Sequence, residues 1–154
     1  MDFQLSLQSE TVGSAYPDEP LATTPETSVA DALRLLRAQK TGAVLVCEGD
    51  QLVGIFTERD ALRIMASSDD LSAPIRDVMT ADTVNVASTD TVGRAIEMMA
   101  SGGYRHLPIV DNEGRPSGVV GAPGIVHYLV DHFPETIYNL PPHPTRLHGD
   151  REGA

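Results

Sequence analysis

The chain has 154 residues, enough for one compact domain, and 41% of them are hydrophobic. Its formal net charge of −11 at pH 7 argues against nucleic acid as the main partner, because binding to a phosphate backbone requires a basic face. One cysteine, Cys47, excludes an internal disulfide, and no stretch approaches the ~20 apolar residues of a membrane span, so we expect a cytoplasmic protein.

Residues 1–15 form the first predicted segment, an N-terminal arm. Its polar composition favours a loose arm without fixed structure. Within it, Phe3, Leu5 and Leu7 alternate as the residues of an added strand would. Both interpretations remain open at this point.

Residues 16–72 are predicted to form a β-α-β-β-α unit. A short extended piece at 21–23 leads into an amphipathic helix whose apolar residues recur at i, i+3, i+4 and i+7: Val29, Ala32, Leu33 and Leu36. Two strands follow, GAVLV and LVGIF, and the polar turn CEGDQ joins them. A second helix over about 57–66 completes the unit.

Residues 73–133 repeat this pattern, with an extended piece at 83–86, strands HLPIV and SGVVG, and a second helix at 123–132. The first helix of this copy carries Val92, Ala95, Ile96 and Met99. One inserted residue aligns Val46 with Val110 and Gly54 with Gly118. Neither copy can bury both faces of its own short sheet, so the copies should pack together. The proline-rich tail, 134–154, is predicted to be extended or disordered.

A duplicated β-α-β-β-α unit with GIFTERD in one copy and YRHLPIVD in the other resembles the CBS domain, a family named after cystathionine β-synthase. Two such units form the regulatory pair called a Bateman module. The resemblance covers about residues 16–133. It implies an α/β (α+β) fold in which tandem β-α-β-β-α repeats pack as a pseudo-twofold pair.

The stretch GIFTERD combines a strand end with the polar start of a helix. A strand ending at Phe56 places Thr57 at the N-cap, where its hydroxyl accepts a backbone N–H. The free N–H groups of the first turn bind anions, and the Arg59 guanidinium could join them on a phosphate. Asp60 could accept hydrogen bonds from two ribose hydroxyls. The resemblance implies these roles, whereas the alternative is an ordinary capped helix with a solvated first turn.

The second copy is expected to supply the other wall of the site, because in CBS pairs the nucleotide lies in a cleft between the copies. Arg105 and His106 match the basic pair that approaches the phosphates in the family. Thr83 and Val84, with Pro108, would wall the adenine. Without the resemblance, Arg105 is a surface charge and His106 a half-buried histidine at a strand end.

The symmetry-related cleft lacks these polar groups. Glycine, proline and threonine stand at the five corresponding positions: Gly121, Pro123, Gly124, Thr41 and Gly42. We therefore predict one nucleotide per chain and a second cleft that is empty or used differently.

The resemblance favours a stand-alone regulatory protein that binds an adenine nucleotide, AMP, ADP or ATP, in one cleft and switches its contacts with itself or with an unknown effector protein. A homodimer is expected through the apolar faces of 57–66 and 123–130. The alternative is an interaction or scaffold module whose ligand cleft is vestigial.

An enzyme and a metal centre are the remaining classes, and the sequence favours neither. No nucleophile elbow or P-loop is present, so a small nucleotide hydrolase is a third and weaker interpretation. His127 and His132 lie five residues apart on a predicted helix, not the four that place two metal ligands on one face.

Overall fold

A computed structural model describes residues 7–67 and 70–134 of the chain. The first motif has the order β1 (Ala22–Thr23), α1 (Val29–Gln39), β2 (Ala43–Glu48), β3 (Gln51–Thr57) and α2 (Glu58–Ser67). Strand β1 is parallel to β2, and β2 is antiparallel to β3. The predicted β-α-β-β-α order is confirmed for this motif.

The second motif repeats this order with a shorter beginning. A single parallel bridge between Val86 and Ile109 takes the place of the first strand. It is followed by α3 (Val92–Gly102), β4 (His106–Val110), β5 (Pro116–Gly121) and α4 (Ala122–His132), with β4 antiparallel to β5. No helix of the described residues is long and apolar enough to cross a membrane.

The helices α1 and α3 begin and end in the same way, which shows how closely the repeat is kept. Ser28 caps α1 by accepting a hydrogen bond from the backbone N–H of Asp31, and Thr91 caps α3 by accepting one from Arg94. Each helix ends in a residue of left-handed conformation, Lys40 in α1 and Gly103 in α3.

Apolar side chains form one core in each motif and a third cluster between them. The predicted helix faces are buried in the two cores, which include Val29 and Ala32 of α1 and Val92 and Ala95 of α3. The third cluster contains Ala43, Leu45 and Ile55 of the first motif and Val119 of the second. Because this cluster lies between the two sheets, burying it requires both motifs.

Each sheet takes its outer edge from the segment that leads into the opposite motif. We call residues 10–18 and 73–80 the leader segments. In the first leader, Asp18 pairs with Val119 of β5, and in the second, Thr80 pairs with Ile55 of β3. These backbone pairs satisfy edge groups that a single motif would leave open.

The loose arm expected at the N-terminus is wrong for residues 7–15. Residues 7–9 are helical, and Leu7, Val12 and Ala15 are buried in the core of the second motif. The reason is that the first leader is the counterpart of the second, in which Ile75 is likewise fully buried. Phe3 and Leu5, and the tail beyond residue 134, lie outside the described residues.

The strand register corrects one part of the predicted alignment. Val46 pairs with Gly54 in the first hairpin, and Ile109 pairs with Gly118 in the second. Val46 therefore corresponds to Ile109 and not to Val110. The inserted residue lies in the turn of the second hairpin, because turns accept extra residues that a paired strand does not.

Candidate functional site: the cleft between the two motifs

A cleft of about 900 Å³ lies between the two motifs and is lined by residues of both. All eight residues predicted for the ligand site line it: Thr57, Arg59, Asp60, Thr83, Val84, Arg105, His106 and Pro108. We call the part around Thr57, Asp60 and His106 the first half of the cleft. The part around Gly121, Pro123 and Gly124 is the second half.

Asp60 and Thr57 hold each other at the start of α2. The Asp60 carboxylate Oδ2 accepts hydrogen bonds from the Thr57 backbone N–H, at 2.9 Å, and from the Thr57 hydroxyl, at 3.2 Å. In return, the Thr57 Oγ1 accepts a hydrogen bond of 3.4 Å from the Asp60 N–H, as the predicted N-cap requires. Asp60 is 3% exposed and is the only buried charged residue in the described part of the chain.

Two arginines of α2 flank this pair. The Arg63 guanidinium lies 3.6 Å from Asp60 Oδ1 and gives the buried carboxylate a partner of opposite charge. Arg59 points the other way and donates a 3.3 Å hydrogen bond to the carbonyl of Gly103, at the C-terminal end of α3. The Arg59 side chain therefore connects the two motifs at the cleft.

His106 lies against the backbone of Gly42 at the start of β2. A Cβ atom built on Gly42 would lie 2.7 Å from His106 Cε1 and 2.9 Å from Glu58 Oε1, so a larger residue would displace both side chains from their present positions. Burial lowers the pKa of His106 below its ordinary 6.5 and outweighs the opposing effect of Glu58, while Arg105 lowers it further. His106 is therefore mainly neutral at pH 7.

Among the three residues predicted to contact the adenine, one has backbone groups that can form hydrogen bonds with a base. Val84 and Thr83 are half-buried, and Pro108 is buried in β4. The Thr83 N–H donates to the carbonyl of Ala81, and the Pro108 carbonyl accepts from Val86. The Val84 backbone, in contrast, forms no hydrogen bond with any residue that the structure describes. Its amide and carbonyl are therefore available to a ligand.

In the second half of the cleft, glycine stands at the position that corresponds to Asp60, and the neighbouring backbone leaves no room for an acidic side chain there. A Cβ atom on Gly124, the counterpart of Asp60, would lie 2.9 Å from the Tyr16 carbonyl oxygen and 3.3 Å from that of Ala15. The corrected register makes Gly42 and Ala43, and not Thr41 and Gly42, the counterparts of Arg105 and His106. Neither carries a charge.

An aromatic cluster holds Tyr16 in this position. Tyr16 has a left-handed φ of 53°, its hydroxyl donates to Asp131 at 2.9 Å, and its ring meets Tyr128 edge-on at 5.9 Å. The ring of Tyr128 also stacks on His132 at 4.2 Å. Burial, together with a hydrogen bond to Glu10, raises the pKa of Tyr128 to about 12.

Five charged residues of the cleft were missed from the sequence: Asp18, Lys40, Glu58, Arg63 and Asp82. Lys40 is the only lysine in the chain, and its rarity was the one signal that could have drawn attention to it. Glu58 and Asp82 carry no such signal, because acidic residues are common in this chain. The structure shows no group of three metal-ligating side chains within residues 7–67 and 70–134.

Comparison with known proteins gives the family. The model of the CBS domain matches residues 12–67 and 75–131. The uncharacterized 17.7 kDa protein in the bps2 3' region of Acidianus ambivalens is 32% identical over 108 residues, which cover 70% of this chain and 65% of that protein. The inosine-5'-monophosphate dehydrogenase of Methanocaldococcus jannaschii is 32% identical over 101 residues, which cover 65% of this chain but 20% of that enzyme. The chain thus spans less than two thirds of these relatives.

Solved structures of CBS proteins have the same fold. CBSX2, solved in complex with AMP, is 25% identical with a TM-score of 0.71, and the aligned region covers 79% of this chain and 97% of CBSX2. The CBS domain pair of MJ0100, solved with 5'-methylthioadenosine and S-adenosyl-L-methionine, is 20% identical with a TM-score of 0.71. The aligned region covers 76% of this chain and 97% of the MJ0100 chain. With two matched segments packed around a shared cleft, the chain belongs to the CBS domain family and is a tandem CBS pair, or Bateman module.

Proposed function

We propose that this protein is regulatory and that it binds one adenine nucleotide in the first half of the cleft, with AMP, ADP and ATP as candidates. The observation that carries the proposal is the buried carboxylate of Asp60, which lines a cleft of about 900 Å³. Thr57 and Arg63 already contact this carboxylate, so its burial alone does not require a ligand; it supports one because it lines an open cleft and keeps acceptor capacity.

The ribose is proposed to bind to Asp60. Thr57 and Arg63 provide three contacts to this carboxylate. An ionised carboxylate has about four lone-pair sites, so capacity remains for a hydroxyl of the ligand. If a ribose hydroxyl took the place of Arg63 in its 3.6 Å contact, the Asp60 carboxylate could accept hydrogen bonds from both ribose hydroxyls.

The phosphate is proposed to bind where the two motifs meet. Arg59, Arg105 and His106 line the half of the cleft that contains the N-terminus of α2, where the N–H groups of Glu58 and Asp60 already donate to Gly42 and Thr57. Guanidinium groups form paired hydrogen bonds with phosphate oxygens. The neighbouring Val84 backbone would read the edge of the adenine, with Thr83 and Pro108 at its sides.

The relatives support an adenosyl ligand without deciding which one. CBSX2 was solved with AMP, and MJ0100 with 5'-methylthioadenosine and S-adenosyl-L-methionine. We favour a nucleotide over the sulfonium compound for this chain because two arginines, Arg59 and Arg105, line the proposed phosphate site.

Binding is proposed to change the contact between the motifs and, through it, the contacts of the whole protein. Arg59 now donates to Gly103 across the cleft, and a bound phosphate would compete for the same guanidinium. A ligand that binds one arrangement better shifts the population toward it. We also propose a homodimer, supported by the exposed apolar side chains of Leu62, Met65 and Val126 on α2 and α4.

A scaffold module with a vestigial cleft is the second candidate. The observation that favours it is the reciprocal hydrogen bonding of Thr57 and Asp60, which already makes a complete helix cap without a ligand.

A ligand panel separates the two candidates. Thermal unfolding would be followed with AMP, ADP, ATP, NAD, 5'-methylthioadenosine and S-adenosyl-L-methionine, and calorimetry would then give the stoichiometry. A ligand at 100 times its Kd stabilises the folded state by about 2.7 kcal/mol, which is readily seen as a higher midpoint. We expect a shift with at least one adenine nucleotide and one site per chain. No shift with any compound supports the scaffold, and two sites per chain contradict the proposed asymmetry.

A further inference from the structure

Lys40 occupies a backbone position that disfavours lysine. It lines the cleft and ends α1 with φ 50° and ψ 44°, in the left-handed region. The corresponding residue at the end of α3 is Gly103, with φ 73°. A residue with a Cβ atom costs ~1–2 kcal/mol in this conformation, whereas glycine adopts it freely. A strained residue that lines a cleft supports the hypothesis that its side chain has a function.

The C-cap of α1 accounts for the left-handed backbone at position 40, where the Lys40 N–H donates to the carbonyls of Leu36 and Arg37, but it does not account for a lysine there. Lys40 and Tyr16 are the two non-glycine residues of positive φ in the described part of the chain, and both line the cleft. Tyr16 is held by a hydrogen bond to Asp131 and by its ring contact with Tyr128. The side chain of Lys40 makes no ion pair or hydrogen bond with any described residue, so its ammonium is available to an anion.

Lys40 lies close to the proposed phosphate site. It precedes Gly42 by two residues, and the ring of His106 lies against Gly42. Two residues span at most about 7 Å, a distance that the flexible four-carbon stem of lysine can bridge. A phosphate bound by Arg105 and His106 would therefore direct any further phosphates toward Lys40.

The second half of the cleft can accept phosphates although it cannot hold a second nucleoside in the same way. Its lining residues Gly121, Pro123 and Gly124 are small, and the Tyr16 carbonyl leaves no room there for a ribose-binding acid. Asp18 and Glu58 also line the cleft and would repel a longer phosphate chain. A cation at position 40 adds to the arginines of the cleft in offsetting this repulsion.

We propose that Lys40 binds the distal phosphates of a nucleoside di- or triphosphate whose nucleoside lies in the first half, so that the protein prefers ATP and ADP to AMP. This proposal rests on the proposed function, because it takes the position of the nucleoside from Asp60 and that of the first phosphate from His106.

The test compares Lys40→Gly and wild type for AMP, ADP and ATP by calorimetry. Glycine removes the ammonium and also relieves the left-handed strain, so a failure to fold does not confuse the result. Arg37→Gln is the matched control, since it removes one exposed positive charge from the same helix end outside the cleft. Lys40→Arg should restore part of the effect by returning the charge.

We expect Lys40→Gly to weaken ATP binding about tenfold or more, the effect of losing one charge-assisted hydrogen bond, and to leave AMP affinity within about twofold of wild type. Equal weakening of AMP and ATP, or an ATP loss no larger than in Arg37→Gln, overturns the proposal while the proposed function stands. If wild type binds ATP no more tightly than AMP, the proposal is also overturned. If wild type binds none of the three, the proposed function fails first.

Discussion

Gly42→Ala tests whether His106 contacts the ligand, because it disturbs that side chain without removing it. The new Cβ atom would lie 2.7 Å from His106 Cε1, 2.8 Å from Nε2 and 2.9 Å from Glu58 Oε1. Non-bonded carbon atoms prefer about 3.5–4.0 Å, so the imidazole must move by about 1 Å. Both neighbours are side-chain ends that can rotate, and the stability loss should stay below the ~1–3 kcal/mol of overpacking in a closed core.

The expected effect on binding is larger than the effect on folding. Loss of the contact between His106 and phosphate would cost about 1.5–3 kcal/mol, which corresponds to a Kd roughly 10- to 150-fold weaker. Calorimetry with AMP measures the affinity, and urea unfolding measures the stability of the same samples. AMP affinity equal to that of wild type would refute the placement of His106 on the phosphate.

Gly124→Ala is the matched control in the second half of the cleft. Its Cβ atom would meet the carbonyl oxygen of Tyr16 at 2.9 Å, and a backbone atom cannot rotate away. Overpacking of about 1–3 kcal/mol is offset by the ~1 kcal/mol by which alanine is favoured over glycine in a helix, so we expect a net loss near 1 kcal/mol. AMP affinity should stay within about twofold of wild type. Weakening as large as in Gly42→Ala would mean that both variants act through general destabilisation.

Three further predictions use single side chains. Asp60→Ala should weaken AMP binding by about 1.5–3 kcal/mol in calorimetry, and unchanged affinity would place the ribose elsewhere. The pKa of His106 is lowered in the folded state, so the unfolded chain binds more protons below pH 6.5 and the free energy of unfolding should decrease as the pH falls. Urea unfolding at pH 7.5 and 5.5 should show a smaller decrease for His106→Gln than for wild type, and equal decreases would contradict this. The pKa of Tyr128, raised to about 12 from 10, predicts stability that is lost as pH rises from 10 to 12, and Tyr128→Phe should show a shallower loss across that window in thermal unfolding.

The fold could be predicted because its two motifs repeat the same local signals. The apolar periods that begin at Val29 and Val92 mark equivalent helices, and each hairpin turn lies between two apolar runs. The start of α2 could be predicted for the same reason, since the hydroxyl of Thr57 directly follows the apolar end of β3. Local chemistry determines these features, so a linear pattern contains them.

What could not be predicted depends on contacts between distant segments. The pairing of Asp18 with Val119 joins residues that are about a hundred positions apart, and no periodicity marks either one. The left-handed backbone of Lys40 closes α1 through hydrogen bonds to the carbonyls of Leu36 and Arg37, but a lysine carries none of the signal that a glycine gives at such a helix end. The contact of His106 with Gly42 crosses from one motif to the other, so the need for glycine at position 42 is visible only in three dimensions.

The crossing of the leader segments makes the two halves mutually dependent. If the chain were cut near residue 70, each fragment would keep its own hairpin but lose the backbone that closes the outer side of β3 or β5. Such bare strands pair with further copies of themselves, so the separated pieces should aggregate, whereas mixing them together should restore a soluble complex.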